Sequence, residues 1–166
     1  MKTSLILVIA CISTVSLAAE NTTGPDVVTV RILDRPLPSE EDKKRDFLWD
    51  NFANTPDEKQ FSSYTTEKWQ DKYQEFAATL LRKAGDQKLD THSLRRALDL
   101  VLAESKNKIA YLPIGAFQTT LDEKPVWIIT VKWEFPFKDK ANTFGHIRMY
   151  VYDQKTLKLV GFNTCM

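Results

Sequence analysis

The hydrophobic pattern of this chain changes its period near the middle, and this change limits the folds open to it. Between about residues 39 and 106 the apolar residues recur every three or four positions, as on one face of a helix. From Lys108 onward apolar and polar residues tend to alternate, as on a half-buried strand. A block of helices followed by a block of strands favours an α+β domain. The 166 residues suffice for one hydrophobic core and are few for two.

Residues 39–106 are predicted to form three helices. The first begins at Ser39 and ends before Thr55-Pro56. The second begins after Thr65 or Thr66, can end at Gly85, and has an apolar face made of Trp69, Tyr73, Phe76, Ala77, Leu80 and Leu81. The third begins near Asp90 or Thr91 and carries the stripe Leu94, Ala97, Leu98, Val101 and Leu102.

Strands are predicted before and after these helices. Residues 27–33 are rich in β-branched side chains and stop at Pro36. The part of the chain from 108 to 163 predicts strands at 109–121, 126–135, 146–153 and 157–163, with Pro113 and Gly115 marking a bulge or bend in the first. Their short connections favour an antiparallel meander. We therefore expect N-terminal helices followed by a helix packed on a curved antiparallel sheet of about four strands.

The alternation assigns two faces to the strands at 126–135 and 146–153. One face is apolar and is predicted to lie on the core; it comprises Trp127, Ile129, Val131, Trp133 and Phe135, with Ile147, Met149 and Val151. The other face is the candidate binding surface, with Lys132, Glu134, His146, Arg148, Tyr150 and Tyr152. Tyrosine and arginine are favoured in recognition surfaces. Two other interpretations stay open: cross-strand pairs that stabilise an exposed face, or tyrosines covered by the N-terminal helices.

The four tryptophans raise the question of a ligand-binding surface. Trp69, Trp127 and Trp133 fall on predicted core faces, so packing is their expected role. Trp49 lies off the apolar stripe of the first helix.

Two stretches resemble the PepSY-like domains of exported bacterial proteins. They are VWIITVKWE at 126–134 and MYVYDQKTLKLV at 149–160, and the resemblance extends over residues 90–162. The chain departs from the pattern at Leu157, where that family usually has glycine. The resemblance implies a helix held against a curved antiparallel sheet, which is a cystatin-like fold. It also implies a role in binding or restraining a protein partner, often a peptidase, in the cell envelope. It carries over no catalytic residue.

The first 18 residues are typical of an export signal. Lys2 precedes an uncharged apolar run at 5–17, and Ser16 and Ala18 supply small residues before the cleavage point. We expect a signal peptide at 1–18, a loose tail at 19–26, a single domain at 27–166, and a periplasmic or secreted location. A retained anchor is the alternative for this segment. Val8-Ile9-Ala10-Cys11 also has the form of a lipoprotein box, which would place a lipid on Cys11.

Charge and cysteine content exclude several classes of partner and site. Removing Lys2 from the 23 basic residues leaves 22, against 22 acidic ones, so nucleic acid is not an expected partner. Cleavage also removes Cys11, which leaves Cys165 as a free thiol or as the link of a disulfide-joined dimer. His92 and His146 have no ligand spacing, so neither a metal nor another cofactor is expected.

The sequence thus predicts an exported, non-enzymatic binding protein that engages a protein or peptide. The alternative is a small ligand carrier or enzyme with an NTF2-like pocket between helix and sheet. The predicted inward-facing residues are almost wholly apolar, which disfavours an acid–base enzyme but not an apolar ligand. A structural envelope component without a ligand is a third interpretation.

Overall fold

The computed structural model describes residues 27–53, 61, 64–106, 108–136 and 142–164. Within these ranges there are three helices, namely α1 (Glu41–Phe52), α2 (Trp69–Asp86) and α3 (Thr91–Glu104). There are also five strands, namely β1 (Thr29–Ile32), β2 (Ala110–Leu121), β3 (Lys124–Glu134), β4 (His146–Asp153) and β5 (Leu159–Thr164). The predicted signal peptide, the tail at 19–26, Cys11 and Cys165 lie outside the described residues.

The strands form one mixed sheet in the order β1-β2-β3-β4-β5. The last four are antiparallel neighbours, as the short connections predicted. The predicted number of about four strands is too low, because β1 joins the sheet as a fifth strand parallel to β2, with Thr29 beside Gly115. A parallel pair needs a long crossover, and the helical part of the chain supplies it. The α+β class is therefore correct.

Helices cover both faces of the sheet, whereas the sequence predicted a single helix packed on it. On one face the indole Nε1 of Trp127 donates to Ser93 of α3 at 2.9 Å, and α2 joins α3 where the Tyr73 hydroxyl donates to the carbonyl of Leu98 at 2.6 Å. On the opposite face the ring of Phe52 in α1 lies 4.5 Å from that of Phe117 in β2. The apolar core is thus divided by the sheet into two layers.

The side chains predicted for the apolar helix faces are buried in the structure, whereas the predicted ends of the helices match the observed ends only in part. Five residues of the α2 face are buried, namely Trp69, Tyr73, Phe76, Ala77 and Leu80, while Leu81 is half-buried. Asp90 caps α3 by accepting hydrogen bonds from the backbone of His92 and Ser93. Gly85 does not end α2, which continues to Asp86. The left-handed residue after this helix is Lys88, with φ 58°.

The irregularity predicted in β2 is a real shift of register. Between Pro113 and Gly115 the pairing with β3 slips by one residue, which leaves Ile114 as the extra residue of a bulge. Gly115 is required there by close packing. A Cβ atom built on Gly115 would lie 2.5 Å from the Oγ1 of Thr130 and 2.6 Å from the ring of Phe117.

The predicted register between β3 and β4 is wrong. Trp127 lies opposite Tyr152 and Ile129 opposite Tyr150, so the apolar face of β3 continues into the tyrosines of β4. The three β4 residues that were predicted to share the face of Trp127 lie on the opposite face of the sheet, namely Ile147, Met149 and Val151. Burial of both sheet faces explains the error, because the alternation of apolar and polar residues distinguishes the two faces only when one of them is exposed to solvent.

The tryptophan predictions are confirmed. Trp69, Trp127 and Trp133 are buried, and Trp49 is exposed. Phe135, which was predicted on the core face, lies beyond the end of β3 and is 48% exposed.

Candidate binding site at the Arg148 cluster

The six residues of the predicted binding surface do not share one outward face. His146, Arg148, Tyr150 and Tyr152 lie on the sheet face that carries Trp133 and is covered in part by α2 and α3. Lys132 and Glu134 alternate to the opposite face, and Lys132 is buried. Tyr150 is only 3% exposed and Tyr152 is equally buried. Both tyrosines are buried, as one interpretation expected, but the helices on their face are α2 and α3, whereas α1, the first of the N-terminal helices, lies on the opposite face.

Arg148 is the centre of the group that the fold does bring together. We call this group the Arg148 cluster; its members are Tyr111, Trp133, Arg148, Tyr150 and Thr164. The guanidinium carbon lies 4.1 Å from the centre of the Trp133 ring and 5.6 Å from that of Tyr111. The Nη1 of Arg148 donates to the Tyr111 hydroxyl, and its Nε donates to the Thr164 hydroxyl at 3.3 Å.

The cluster connects four strands through side chains that alternate onto one face. Tyr111 lies opposite Trp133 across β2 and β3, and Arg148 lies opposite Thr164 across β4 and β5. The hydroxyl oxygens of Tyr111 and Tyr150 are 2.9 Å apart, which completes a hydrogen-bonded chain from Arg148 to Tyr150. The arginine is therefore held in place by ring stacking and by hydroxyl groups.

No acidic side chain among the described residues neutralises the positive charge of Arg148. Burial is the main cause that raises the pKa of Tyr150 far above its usual value, with the Tyr111 hydrogen bond adding to it. Burial, aided by Glu104, raises the pKa of Tyr152 to about 12. These phenols are therefore neutral at physiological pH. The ion pairs within the described ranges involve other residues and leave Arg148 without an acidic partner there.

Aromatic and titratable side chains form the rim of the cluster. The His146 ring lies 4.8 Å from that of Trp133, and its Nε2 is 3.7 Å from the Glu134 carboxylate. Phe135 meets Trp133 edge-on at 5.5 Å. Phe162 packs on Tyr150 at 5.2 Å and is nevertheless 44% exposed. The surface next to Arg148 therefore offers apolar area together with a cation.

The β5 strand provides a free edge beside this surface. Within the described part of the chain only β4 pairs with it. Helix α1 reaches this strand through Lys44, whose Nζ donates to the carbonyl of Val160 at 3.1 Å, and through Asn163, which donates to the carbonyl of Arg45 at 3.3 Å. An open edge of this kind can accept a further strand from another chain.

Sequence reasoning found Arg148 and Tyr150 but missed Tyr111, Trp133, Phe162 and Thr164 as their neighbours. Tyr111 and Thr164 have no pattern of their own that marks a site. Their proximity to Arg148 depends on the register of β2, β3, β4 and β5, which only the folded sheet shows. His92 is exposed in the first turn of α3.

Across the described ranges, no three His, Cys, Asp or Glu side chains come together as metal ligands would. In the same ranges, no helix has the length and hydropathy needed to cross a bilayer. Comparisons with protein-family models, with curated proteins and with solved structures found no match.

Proposed function

We propose that this protein is an exported binding protein that holds an extended, acidic segment of a protein partner. The segment adds to the sheet alongside β5 and places a carboxylate on Arg148. The leader-like residues 1–18 support a role in the cell envelope or the secreted space. The resemblance of residues 90–162 to PepSY-like domains supports a protein as the partner.

The proposal rests on the environment of the Arg148 side chain. Arg148 is half-buried; its guanidinium is stacked on Trp133 at 4.1 Å and has no acidic partner within the described residues. A guanidinium presents donors in a fixed fork that matches a carboxylate. Because Trp133, Tyr111 and Thr164 already hold the side chain, little rotamer freedom remains to be lost on binding.

The surroundings of Arg148 favour a peptide over a flat protein surface. Main-chain groups on the free edge of β5 can pair with an extended segment, as in strand addition. Phe162 supplies exposed apolar area on the same sheet face as Arg148. It lies two residues before Thr164, whose hydroxyl accepts the hydrogen bond from the Arg148 guanidinium. Aromatic and arginine side chains at the centre of a contact carry most of its binding free energy.

The proposal is tested by selecting dodecapeptides from a displayed random library on the purified protein. We expect the enriched peptides to contain Asp or Glu flanked by β-branched residues. Replacing the acid by its amide in a selected peptide should raise its Kd at least about tenfold. The Arg148→Gln variant should lose the preference for the acid, and Phe162→Ala should weaken the acid and the amide peptides equally.

Arg96→Gln is the matched control, since Arg96 is an exposed arginine of α3 that takes no part in the ring contacts and hydrogen bonds of Arg148. It should bind the selected peptides as the unmodified protein does. Peptides that bind Arg148→Gln and the unmodified protein equally well would overturn the proposal. So would a selected set without acidic residues.

A further inference from the structure

A cleft of about 360 Å³ lies on the opposite face of the sheet from the Arg148 cluster, between the end of α1 and strands β1 and β2. Its volume falls in the range of small-molecule sites. The lining residues that matter here are Thr29, Arg31, Phe52, Ile114, Phe117 and Thr130.

The bulge in β2 shapes the floor of this cleft. The extra residue Ile114 lines the cleft, and the missing Cβ of Gly115 leaves room for the side chains of Thr130 and Phe117. Phe52 and Phe117, whose ring centres are 4.5 Å apart, form an apolar wall. The cleft is thus a product of the irregular strand and not a gap left by loose packing.

Two lining residues have polar groups without a hydrogen-bond or ion-pair partner among the described residues. Thr130 is only 3% exposed as a residue, but its side chain lines the cleft, and its hydroxyl makes no hydrogen bond with the described residues. A hydroxyl of this kind can still donate to, or accept from, a ligand or a water in the cleft. Arg31 is exposed and is the one charged residue among the described lining residues, none of which forms an ion pair with it. The cleft therefore combines apolar walls, a hydroxyl in its lining and a positive charge.

We infer that this cleft binds a small organic carboxylate with an apolar body. The carboxylate pairs with the guanidinium of Arg31. The apolar body contacts Phe52, Phe117 and Ile114, and a ligand oxygen accepts a hydrogen bond from the Thr130 hydroxyl. This site is separate from the peptide surface proposed at Arg148, because Thr130 and Phe117 alternate to the other face of the sheet.

Calorimetric titration of the purified protein with phenylacetate tests the inference, with phenylacetamide as the neutral isostere. We expect saturable binding of phenylacetate with a Kd below about 10 mM and weaker binding of the amide. Arg31→Gln should weaken phenylacetate about tenfold and leave the amide unchanged. Arg96→Gln, in which an exposed arginine away from the cleft is changed, should bind both compounds normally.

Thr130→Val tests the inference in a second way, because it separates a loss of ligand binding from a loss of protein stability. Valine keeps the shape of threonine but removes the unpaired hydroxyl, so the free protein should keep or raise its Tm while phenylacetate binds more weakly. Equal binding of phenylacetate and phenylacetamide overturns the inference. An identical response of Arg31→Gln and Arg96→Gln, or no saturable binding, overturns it as well. Arg148→Gln should bind phenylacetate normally, which separates this outcome from a failure of the peptide proposal.

Discussion

The indole Nε1 of Trp127 donates a hydrogen bond to the hydroxyl of Ser93 at 2.9 Å. Both residues are buried, and the bond joins the middle of the sheet to the first turn of α3. The indole of Trp133, six residues further along the same strand, is buried as well, but its Nε1 has no hydrogen-bond partner among the residues that the structure describes. The two tryptophans therefore offer a matched pair for measuring what one buried hydrogen bond contributes.

Ser93→Ala is expected to lower the free energy of unfolding by about 1–3 kcal/mol, because it leaves the Trp127 N–H buried and unpaired. Urea denaturation of single and double variants measures the effect. Ser93→Ala and Trp127→Phe should be non-additive by more than about 0.5 kcal/mol. Ser93→Ala and Trp133→Phe should be additive, and non-additivity there would contradict the assignment of the bond.

Asp90 is expected to make the stability of the protein depend on pH in the acid range. Hydrogen bonds from Ser93, and then from the backbone of His92, lower the pKa of the Asp90 carboxyl. Because the folded pKa lies below the unfolded value of about 3.9, the contribution is complete above that pH and is lost as the pH falls through the folded pKa. Asp90→Asn keeps a side-chain oxygen for the cap but cannot titrate.

The measurement is the urea midpoint of the unmodified protein and of Asp90→Asn between pH 7 and pH 2. The difference between the two should shrink as the pH falls. Asp153 behaves in the same sense, since the backbone and hydroxyl of Thr156 and then the backbone of Lys155 lower its pKa. The double variant Asp90→Asn/Asp153→Asn should therefore show the smallest change of its urea midpoint with pH in the acid range. A difference that grows on acidification would contradict the pKa directions.

Gly115→Ala and Gly85→Ala are expected to have opposite effects on stability. A Cβ on Gly115 would lie 2.5 Å from the Oγ1 of Thr130, so this variant should lose about 1–3 kcal/mol through overpacking. A Cβ on Gly85 meets its nearest atom at 3.7 Å, inside α2, so alanine there should gain up to about 1 kcal/mol from helix propensity. Thermal denaturation followed by circular dichroism compares the two. The same sign for both would show that the space around Gly115 is not as tight as described.

Processing at Ala18 is expected when the chain is expressed with an intact export pathway. Intact-mass analysis should find a protein that begins near Ala19. Ala18→Trp should block cleavage, because the peptidase requires a small residue at that position. A lipid-modified chain beginning at Cys11 would support the lipoprotein alternative, and an uncleaved cytosolic chain would contradict export.

Several structural features were predictable from the residues because they depend on local chemistry. The faces of α2 and α3 follow from helical spacing, and the cap at Asp90 follows from the preference of a short acidic side chain for that position. The bulge at Pro113 and Gly115 follows from a missing donor and a missing side chain in one strand. The Arg148 cluster was predictable only in part. Arg148 and Tyr150 belong to one strand, but Tyr111 and Thr164 come from two others and approach them only through strand pairing.

Local sequence determined where this chain is helical, where it is extended, and which of its helices have an apolar face. Tertiary structure alone decided the partners of each strand face. Residues 126–133 of β3 are buried on both faces of the sheet. Because neither face is exposed to solvent, the alternation of side chains along β3 does not indicate which of its residues share a face with which residues of β4. The choice depends on α1 packing on one face and α2 and α3 on the other, which sets Tyr150 beside Ile129 and leaves Thr130 facing the cleft.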